Sequence, residues 1–465
     1  MMTKLPVGAL ATILLIRAAA AASLDTAPAR YRVTLLDAAS PKLTVTAVLP
    51  IDGSALTMDR TRPGGIPDLD AQGWPALVSK LRVTDSAGRA IETTSAGAAG
   101  WTLARAFTGR LTLEYEVDYS ALAARGWPAP REAAFVDAND LVLVGRSMFI
   151  TTREVGASRV TFELPKGWRP VTPWEPRPKS ATEFSVSSAN DLVANLLVFS
   201  RSAPDVVTAG AFRLLVAPMG QWKASRNEVR RVLGAVVPRL VELVKDEQRA
   251  NYLVVLLPVV EEGGESYRHS FALTMEEKPT RANSAVWGNL IAHEVFHLWN
   301  GWTLVGADYP TSQWFHEGFT EYAANVSMVT AKLISQGEFL QKLSDHVAKY
   351  RQLTTGLEAG GSHKGPPLYS AGALVAFSWD AQIRQATSGK SNLWNFVNAL
   401  YERTGRGERP YTWTDIQEAL SATAPLDWAA YYDLHIRGNE PLPLEPALAS
   451  MGLRWADASD GTPRI

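Results

Sequence analysis

Apolar residues in the first half of the chain recur at every second position or in short runs. Val33-Thr34-Leu35-Leu36, Leu43 to Leu49 and Leu111 to Val117 do so, with Gly, Pro, Asn and Asp between them. A period of two puts one face of a pleated strand in a core and the other in water. Val160 to Leu164, closed by Pro165, and Phe184-Ser185-Val186 continue the pattern. The stretch from Tyr31 to about Ser200 is thus predicted to be an antiparallel β domain of sandwich type. Near residue 206 the texture changes. Phe212 to Ala217 and Tyr252 to Leu257 read as strands, and Glu228 to Asp246 between them has helical spacing. From Ser284 to about Leu434 nearly everything reads as helix, with breaks at Gly356 to Pro367, Gly405 to Pro410 and Pro425. Ser284 is expected to cap the first of these helices and Gly301 to end it. The fold class is α+β, divided at 24–205, 206–340, 341–437 and a Pro- and Gly-rich tail at 438–465.

Composition narrows the function classes. A chain of 465 residues suits two or three domains. Its formal net charge of −1 supplies no global field for nucleic acid or anionic lipid. It has no cysteine, which removes disulfides, thiolate metal sites and cysteine nucleophiles together. Any metal must be held by histidine and carboxylate. Met1 to Lys4, the apolar run Leu5 to Ile16 and the small residues Ala18 to Ala22 read as a signal peptide over 1–23. The run is short for a bilayer span. A periplasmic or secreted protein with no stable membrane insertion after signal cleavage is expected.

The chemistry-bearing motif is His-Glu-Val-Phe-His at residues 293 to 297, inside the apolar helical run Ala285 to Trp299. Histidines four apart project from one helix face and can reach one zinc ion. Glu294 can then take the proton of a water whose pKa the metal lowers. A third protein ligand is needed, and Glu317 is the candidate, on a second helix expected to be capped near Thr311 or Ser312. Glu321, one turn on, can accept the outer N–H of a ligand histidine, and Asn300 can act similarly. His316 is a rival ligand, but it adjoins Glu317 and is expected to face away. His269, His346, His363 and His435 read as surface or internally satisfied residues, with some chance that His269 or His363 lines a cleft.

At these residues the sequence resembles the glycyl aminopeptidase family of zinc peptidases, relatives of the aminopeptidase N group. The resemblance is carried by residues 293 to 300, by Glu-Gly-Phe-Thr-Glu-Tyr at 317 to 322, by Tyr369 to Leu374, by Arg437 to Leu444 and by the segment ending Leu164 to Trp168. It implies an N-terminal β domain, a thermolysin-like catalytic domain over 206–340, and helices behind it. It also implies one zinc per chain on His293, His297 and Glu317, the base role for Glu294, and Tyr369 as donor to the tetrahedral oxyanion. A phenol suits that task, because its hydrogen bond strengthens as charge develops. Three features depart from the family. Only nineteen residues separate His297 from Glu317. The family's Gly-Gly-x-Glu-His strand is Gly263-Gly264-Glu265-Ser266-Tyr267 here, with the Glu one place early. A shift of one on a strand exchanges faces. The chain also stops about where the family's C-terminal PDZ domain would begin.

The expected activity is zinc-dependent hydrolysis of a peptide bond, by an aminopeptidase if Glu265 meets the free α-amino group of the substrate. A zinc endopeptidase of the same fold, a zinc hydrolase of non-peptide amides or esters, and a catalytically silent binding protein are the alternatives.

Overall fold

The computed structural model describes residues 27–37, 40–60, 71–120, 134–245, 250–258, 263–275, 278–353, 356–358, 366–456 and 464–465. Residues 1–23, expected as a signal peptide, and His363 lie outside them.

The period-two segments are strands. β1 (Ala29–Leu35), β2 (Lys42–Thr57), β3 (Val78–Thr84), β4 (Thr93–Ser95) and β5 (Gly100–Asp118) come first. β6 (Ala134–Val136), β7 (Asp140–Val144), β8 (Ser158–Glu163), β9 (Arg169–Val171), β10 (Glu175–Pro176), β11 (Glu183–Val186) and β12 (Leu196–Ser200) follow. Among the described residues they make an eight-stranded sheet, in the order β10-β11-β8-β1-β2-β5-β3 with β4 beside β5, and a four-stranded sheet, β6-β7-β12-β9. Leu43, Val45, Ala47 and Leu49 of β2 and Leu111, Leu113, Tyr115 and Val117 of β5 supply alternate residues to the core between the sheets. One pairing departs from the antiparallel expectation: β1 runs parallel to β8. These two strands are far apart in sequence, so no hairpin constrains their direction.

A third sheet, in the order β13-β14-β15-β17-β16, is built from β13 (Asp205–Ala209), β14 (Phe212–Pro218), β15 (Ala250–Leu257), β16 (Gly263–Tyr267) and β17 (Ser270–Thr274). β14, β15 and β17 are mutually parallel, and β13 and β16 are antiparallel edges. Parallel strands covered on both faces read as continuous apolar runs, which is the character of Tyr252 to Leu257. Leu214, Val216, Tyr252, Val254, Leu256, Phe271 and Leu273 join the core shared with the helices. Leu215, Ala217, Leu253, Val255, Leu257 and Ala272 join the core of the N-terminal sheets. The expected division near residue 205 is therefore a change of sheet, not a loose linker: one sheet is common to both cores.

The helices are α1 (Ala189–Val193), α2 (Arg226–Val244), α3 (Ser284–Phe296), α4 (Tyr309–Thr330), α5 (Gln336–Tyr350), α6 (Pro366–Ala386), α7 (Leu393–Arg403), α8 (Trp413–Thr423), α9 (Trp428–Tyr431) and α10 (Leu444–Ser450). Ser284 does not cap α3; its hydroxyl donates to the Arg281 carbonyl, and Asn283 holds the cap position. α3 ends at Phe296, five residues before Gly301. α4 starts at Tyr309, earlier than Thr311, because Pro310 in its first turn has the backbone angle a helix start needs and no amide to leave unpaired. The expected tail contains α10, whose Leu444, Ala447 and Leu448 are buried in the helical core. Pro441 and Pro443 precede this short amphipathic helix, and Pro446 lies in its first turn. Among the described residues no helix is long and apolar enough to cross a membrane.

Candidate metal centre and cleft

α3 is apolar nearly all round, and Trp287, Ile291, Ala292, Val295 and Phe296 are buried in the core. A helix of that kind is enclosed by its neighbours, so its few polar residues face one another. His293 sits in its last turn. His297 lies one residue past the end, still in right-handed helical conformation, with its amide donating to the His293 carbonyl at 3.3 Å. The two imidazoles consequently share a face, their centroids 4.7 Å apart.

Glu317 of α4 closes the group. Its Oε2 is 3.3 Å from His293 Nε2 and 3.5 Å from His297 Nε2. One ligand atom from each of the three lies within 4.8 Å of the others. The other ring nitrogens are occupied. His293 Nδ1 is 3.2 Å from Glu321 Oε2, and His297 Nδ1 is 2.9 Å from the Asn300 carbonyl oxygen. Acceptors there hold a proton on Nδ1 and leave Nε2 of each ring as the atom that would bind a zinc ion beside Glu317. Burial opposes charge on His293, but Glu317, Glu321 and Glu294 hold its proton and raise its pKa to about 10. A divalent cation would take that proton's place among the same carboxylates. Asn300 contributes through its carbonyl; its side-chain amide instead donates to the Phe315 and His316 carbonyls and to Thr320 Oγ1, tying the end of α3 to α4.

Two close approaches position the remaining groups. A Cβ on Gly264 of β16 would fall 2.1 Å from Glu294 Oε1, so the bare backbone there is what admits the Glu294 carboxylate. A Cβ on Gly372 of α6 would fall 1.9 Å from the Trp314 carbonyl oxygen, and one on Gly318 would fall 2.2 Å from the Gly372 Cα. The backbones of α4 and α6 touch at these glycines. Tyr369, three residues before Gly372, is thereby brought beside Glu317, one residue before Gly318. The Tyr369 ring stacks on His293 at 5.9 Å, and its hydroxyl donates to Glu317. Burial, then the charges of Glu317 and Glu294, push its pKa far above the ordinary value, so it is a neutral donor.

These residues line one cleft of about 480 Å³, with Gly264, Glu265 and Ser266 of β16 on its wall. β16 pairs with β17 without a bulge, Glu265 opposite Ala272. No register shift brings Glu265 to the cleft, yet Glu265 and Ser266 both line it. After burial and Glu317, the charge of Glu265 helps push the Tyr309 phenol up to about 12. The turn after β16 is pinned to the N-terminal domain. Arg268 Nε lies 2.6 Å and His269 Nδ1 3.3 Å from Asp191 Oδ1, and the His269 amide donates to Asn195 Oδ1 at 2.7 Å. His269 belongs to that pin and is not a cleft residue. His346 is buried, and His435 is half-buried beside the Tyr431 ring and the Glu440 carbonyl.

His316 does not face away. It stacks on His297 at 4.5 Å and lines the cleft with Trp302, Tyr309 and Gln313. A Cβ on Gly301 would fall 2.4 Å from His316 Cε1, so the glycine after Asn300 leaves room for the ring. The signal for this wall was helical spacing: Tyr309, Gln313, His316 and Glu317 stand at i, i+4, i+7 and i+8 on α4.

A family model described as M61 glycyl aminopeptidase matches residues 287–359, and one described as the peptidase M61 N-terminal domain matches residues 30–195. Among solved structures, an aminopeptidase N family protein from Idiomarina loihiensis is similar over 90% of this chain and 78% of its own, with a TM-score of 0.75 and 18% identity. A mutant M1 zinc metallopeptidase from Deinococcus radiodurans, bound to a Tyr-Ser-Ala substrate, is similar over 90% of this chain and 96% of its own, with a TM-score of 0.56 and 15% identity. No match is found among curated proteins.

Proposed function

Since this chain belongs to the M61 glycyl aminopeptidase family of zinc peptidases, we propose that His293, His297 and Glu317 hold its zinc and that Glu265 directs it to peptide N-termini. The convergence of the three ligand atoms within 4.8 Å, in a cleft shared with Glu294 and Tyr369, carries the reading. Zinc held there would polarise the scissile carbonyl and make the attacking water more acidic. Glu294 takes the proton of that water on its carboxylate and delivers it to the departing amine. Tyr369 donates its O–H to the oxygen on which negative charge builds. Glu321 and the Asn300 carbonyl keep the two imidazoles oriented throughout.

A free α-amino group is cationic near its pKa of ~8. Glu265, on the wall beside Glu317 and Tyr309, is the carboxylate that would receive it. The discriminating experiment compares a peptide with its N-acetylated form, for wild type and for Glu265→Ala. Preference for the free amine that Glu265→Ala abolishes supports the assignment. Equal cleavage of both forms by wild type would make the enzyme an endopeptidase, with Ser266 in the place of the amine anchor. A preference that survives Glu265→Ala would assign the anchor to another carboxylate. We also propose export, with a mature N-terminus near Ala22 to Ser23; sequencing the N-terminus of the exported protein tests it, and an uncleaved cytoplasmic product would refute it.

A further inference from the structure

His346 lies on α5, a helix that contributes nothing to the cleft wall, and it is 8% exposed. Its ring bridges two other helices. On one side Asn325 of α4 donates from Nδ2 to His346 Nε2 at 3.1 Å, and the same amide group donates to Glu321 Oε1 at 3.1 Å. Glu321 is the carboxylate that orients His293, and Asn289 of α3 donates to both of its oxygens, at 3.2 and 3.3 Å. On the other side His346 Nδ1 lies 3.1 Å from Ser370 Oγ on α6. Ser370 is the residue next to Tyr369.

The donors settle the arrangement. An amide nitrogen can only donate, so with Asn325 Nδ2 on it His346 Nε2 is an acceptor and the ring is neutral. The ring proton then sits on Nδ1 and points at Ser370. Burial likewise disfavours the charged ring. The carbonyl oxygens of Asn289 and Asn325 are buried without a hydrogen-bond partner among the described residues. Both amides are thus turned with Nδ2 toward Glu321, and that of Asn325 also toward His346, at the cost of orphaned acceptors. A group arranged only for packing has no reason to accept that cost.

We infer that His346 is a positioning residue of the reaction centre, coupling the carboxylate that orients His293 to the helix that carries Tyr369. The inference rests on the metal and oxyanion assignments above. His346 touches neither the metal ligands nor the substrate. It acts by holding Asn325, and hence Glu321, in place on one side and Ser370, and hence the first turns of α6, on the other.

The two sides can be separated by isosteric replacement in the full-length protein. In His346→Gln the side-chain oxygen reaches the position of Nε2 and keeps the Asn325 contact. In His346→Asn the side-chain nitrogen reaches the position of Nδ1 and keeps the Ser370 contact. His346→Phe fills the volume and keeps neither. Zinc affinity is measured by competition with a chromogenic chelator, and kcat and KM on one peptide. His346→Phe is expected to bind zinc about tenfold more weakly, the lower end of the effect of disturbing the outer hydrogen bonds of a metal ligand, with kcat reduced more than KM is raised. His346→Gln should restore zinc affinity but not kcat, and His346→Asn the reverse. Ser370→Ala, which removes one hydroxyl, should lower kcat with zinc affinity unchanged, and it carries the test if His346→Phe does not fold. Wild-type zinc affinity and kcat in a folded His346→Phe would overturn the inference, as would equal zinc loss in all three His346 variants. A wild-type protein without peptidase activity would refute the proposed function instead, while the order of zinc affinities would still decide the role of His346.

Discussion

The cleft has two walls made in different ways. One is helical: His293, His297, Glu317 and Tyr369 stand on α3, the turn after it, α4 and α6, inside a single core. The other is the edge strand β16, which carries Gly264, Glu265 and Ser266 and ends in a turn pinned to Asp191 and Asn195 of the N-terminal domain. The helical wall holds the reacting groups with local spacing and two glycine contacts. The strand wall is anchored, at the turn that follows it, by a contact between domains. Catalytic power should therefore follow the first wall, and choice of substrate the second, except at Gly264, whose bare backbone admits the Glu294 carboxylate.

The largest effects should come from the helical wall. Glu317→Ala should lose the metal, and elemental analysis of the purified variant checks it. Glu294→Gln should keep about one zinc per chain, since Glu294 is not a ligand, yet lower kcat by about 10³-fold, within the range for removal of a general base. Near-normal kcat in Glu294→Gln would end its assignment as the base.

Tyr369→Phe should cost about 10²-fold in kcat, the scale for one oxyanion donor, and change KM little. An effect confined to KM would mean that the hydroxyl binds substrate and does not stabilise the transition state. Gly264→Ala sharpens the boundary between the walls. Its methyl would displace Glu294, so kcat should fall although no reacting group is removed. Unchanged kcat would show that Glu294 does not work from this position.

Asp191→Asn should act on the strand wall alone. It should raise KM for peptides with a free amine about tenfold or less, with zinc content and kcat nearly unchanged, the scale of one charge-assisted hydrogen bond. A large fall in kcat would erase the distinction between the two walls. The same variant should change stability in acid. Burial pushes the Asp191 carboxyl up, but hydrogen bonds from His269 and Ser187 and the Arg268 charge bring it well below the usual carboxylate range. A depressed folded pKa means that the stabilisation is present above the unfolded value of ~3.9 and is lost as pH falls through the folded one. Wild type should thus lose more Tm than Asp191→Asn between neutral pH and pH ~3. Parallel losses would show that the pin contributes nothing in acid.

His293, Glu294 and His297 were legible as a candidate metal motif because their geometry is local. Four residues along a helix return to the same face whatever surrounds it. The strands of Tyr31 to Ser200 were legible for the same reason, since a period of two survives any arrangement of sheets. Glu317 needed a second helix, and its Glu-Gly-Phe signature supplied it. Adjacency on a helix turns a side chain through about 100° but does not say how wide the cleft is; that width is what places His316 beside His297. Nothing local to His346 points to Glu321, and in the sequence it reads as a surface or internally satisfied histidine.

Periodicity and spacing, which are properties of neighbouring residues, sufficed for the α+β class, the two histidines and their glutamate, and the helix that answers them. Contacts between residues far apart in the chain settled the rest. The parallel pairing of β1 with β8, the sheet shared by two cores, the glycine crossing that delivers Tyr369 to Glu317, and the pinning of the turn after β16 by Asp191 all depend on which surfaces meet. Apolar faces on separate elements are alike enough to pack in several ways. Shape at the few positions without a Cβ and the pairing of buried charge select one of them.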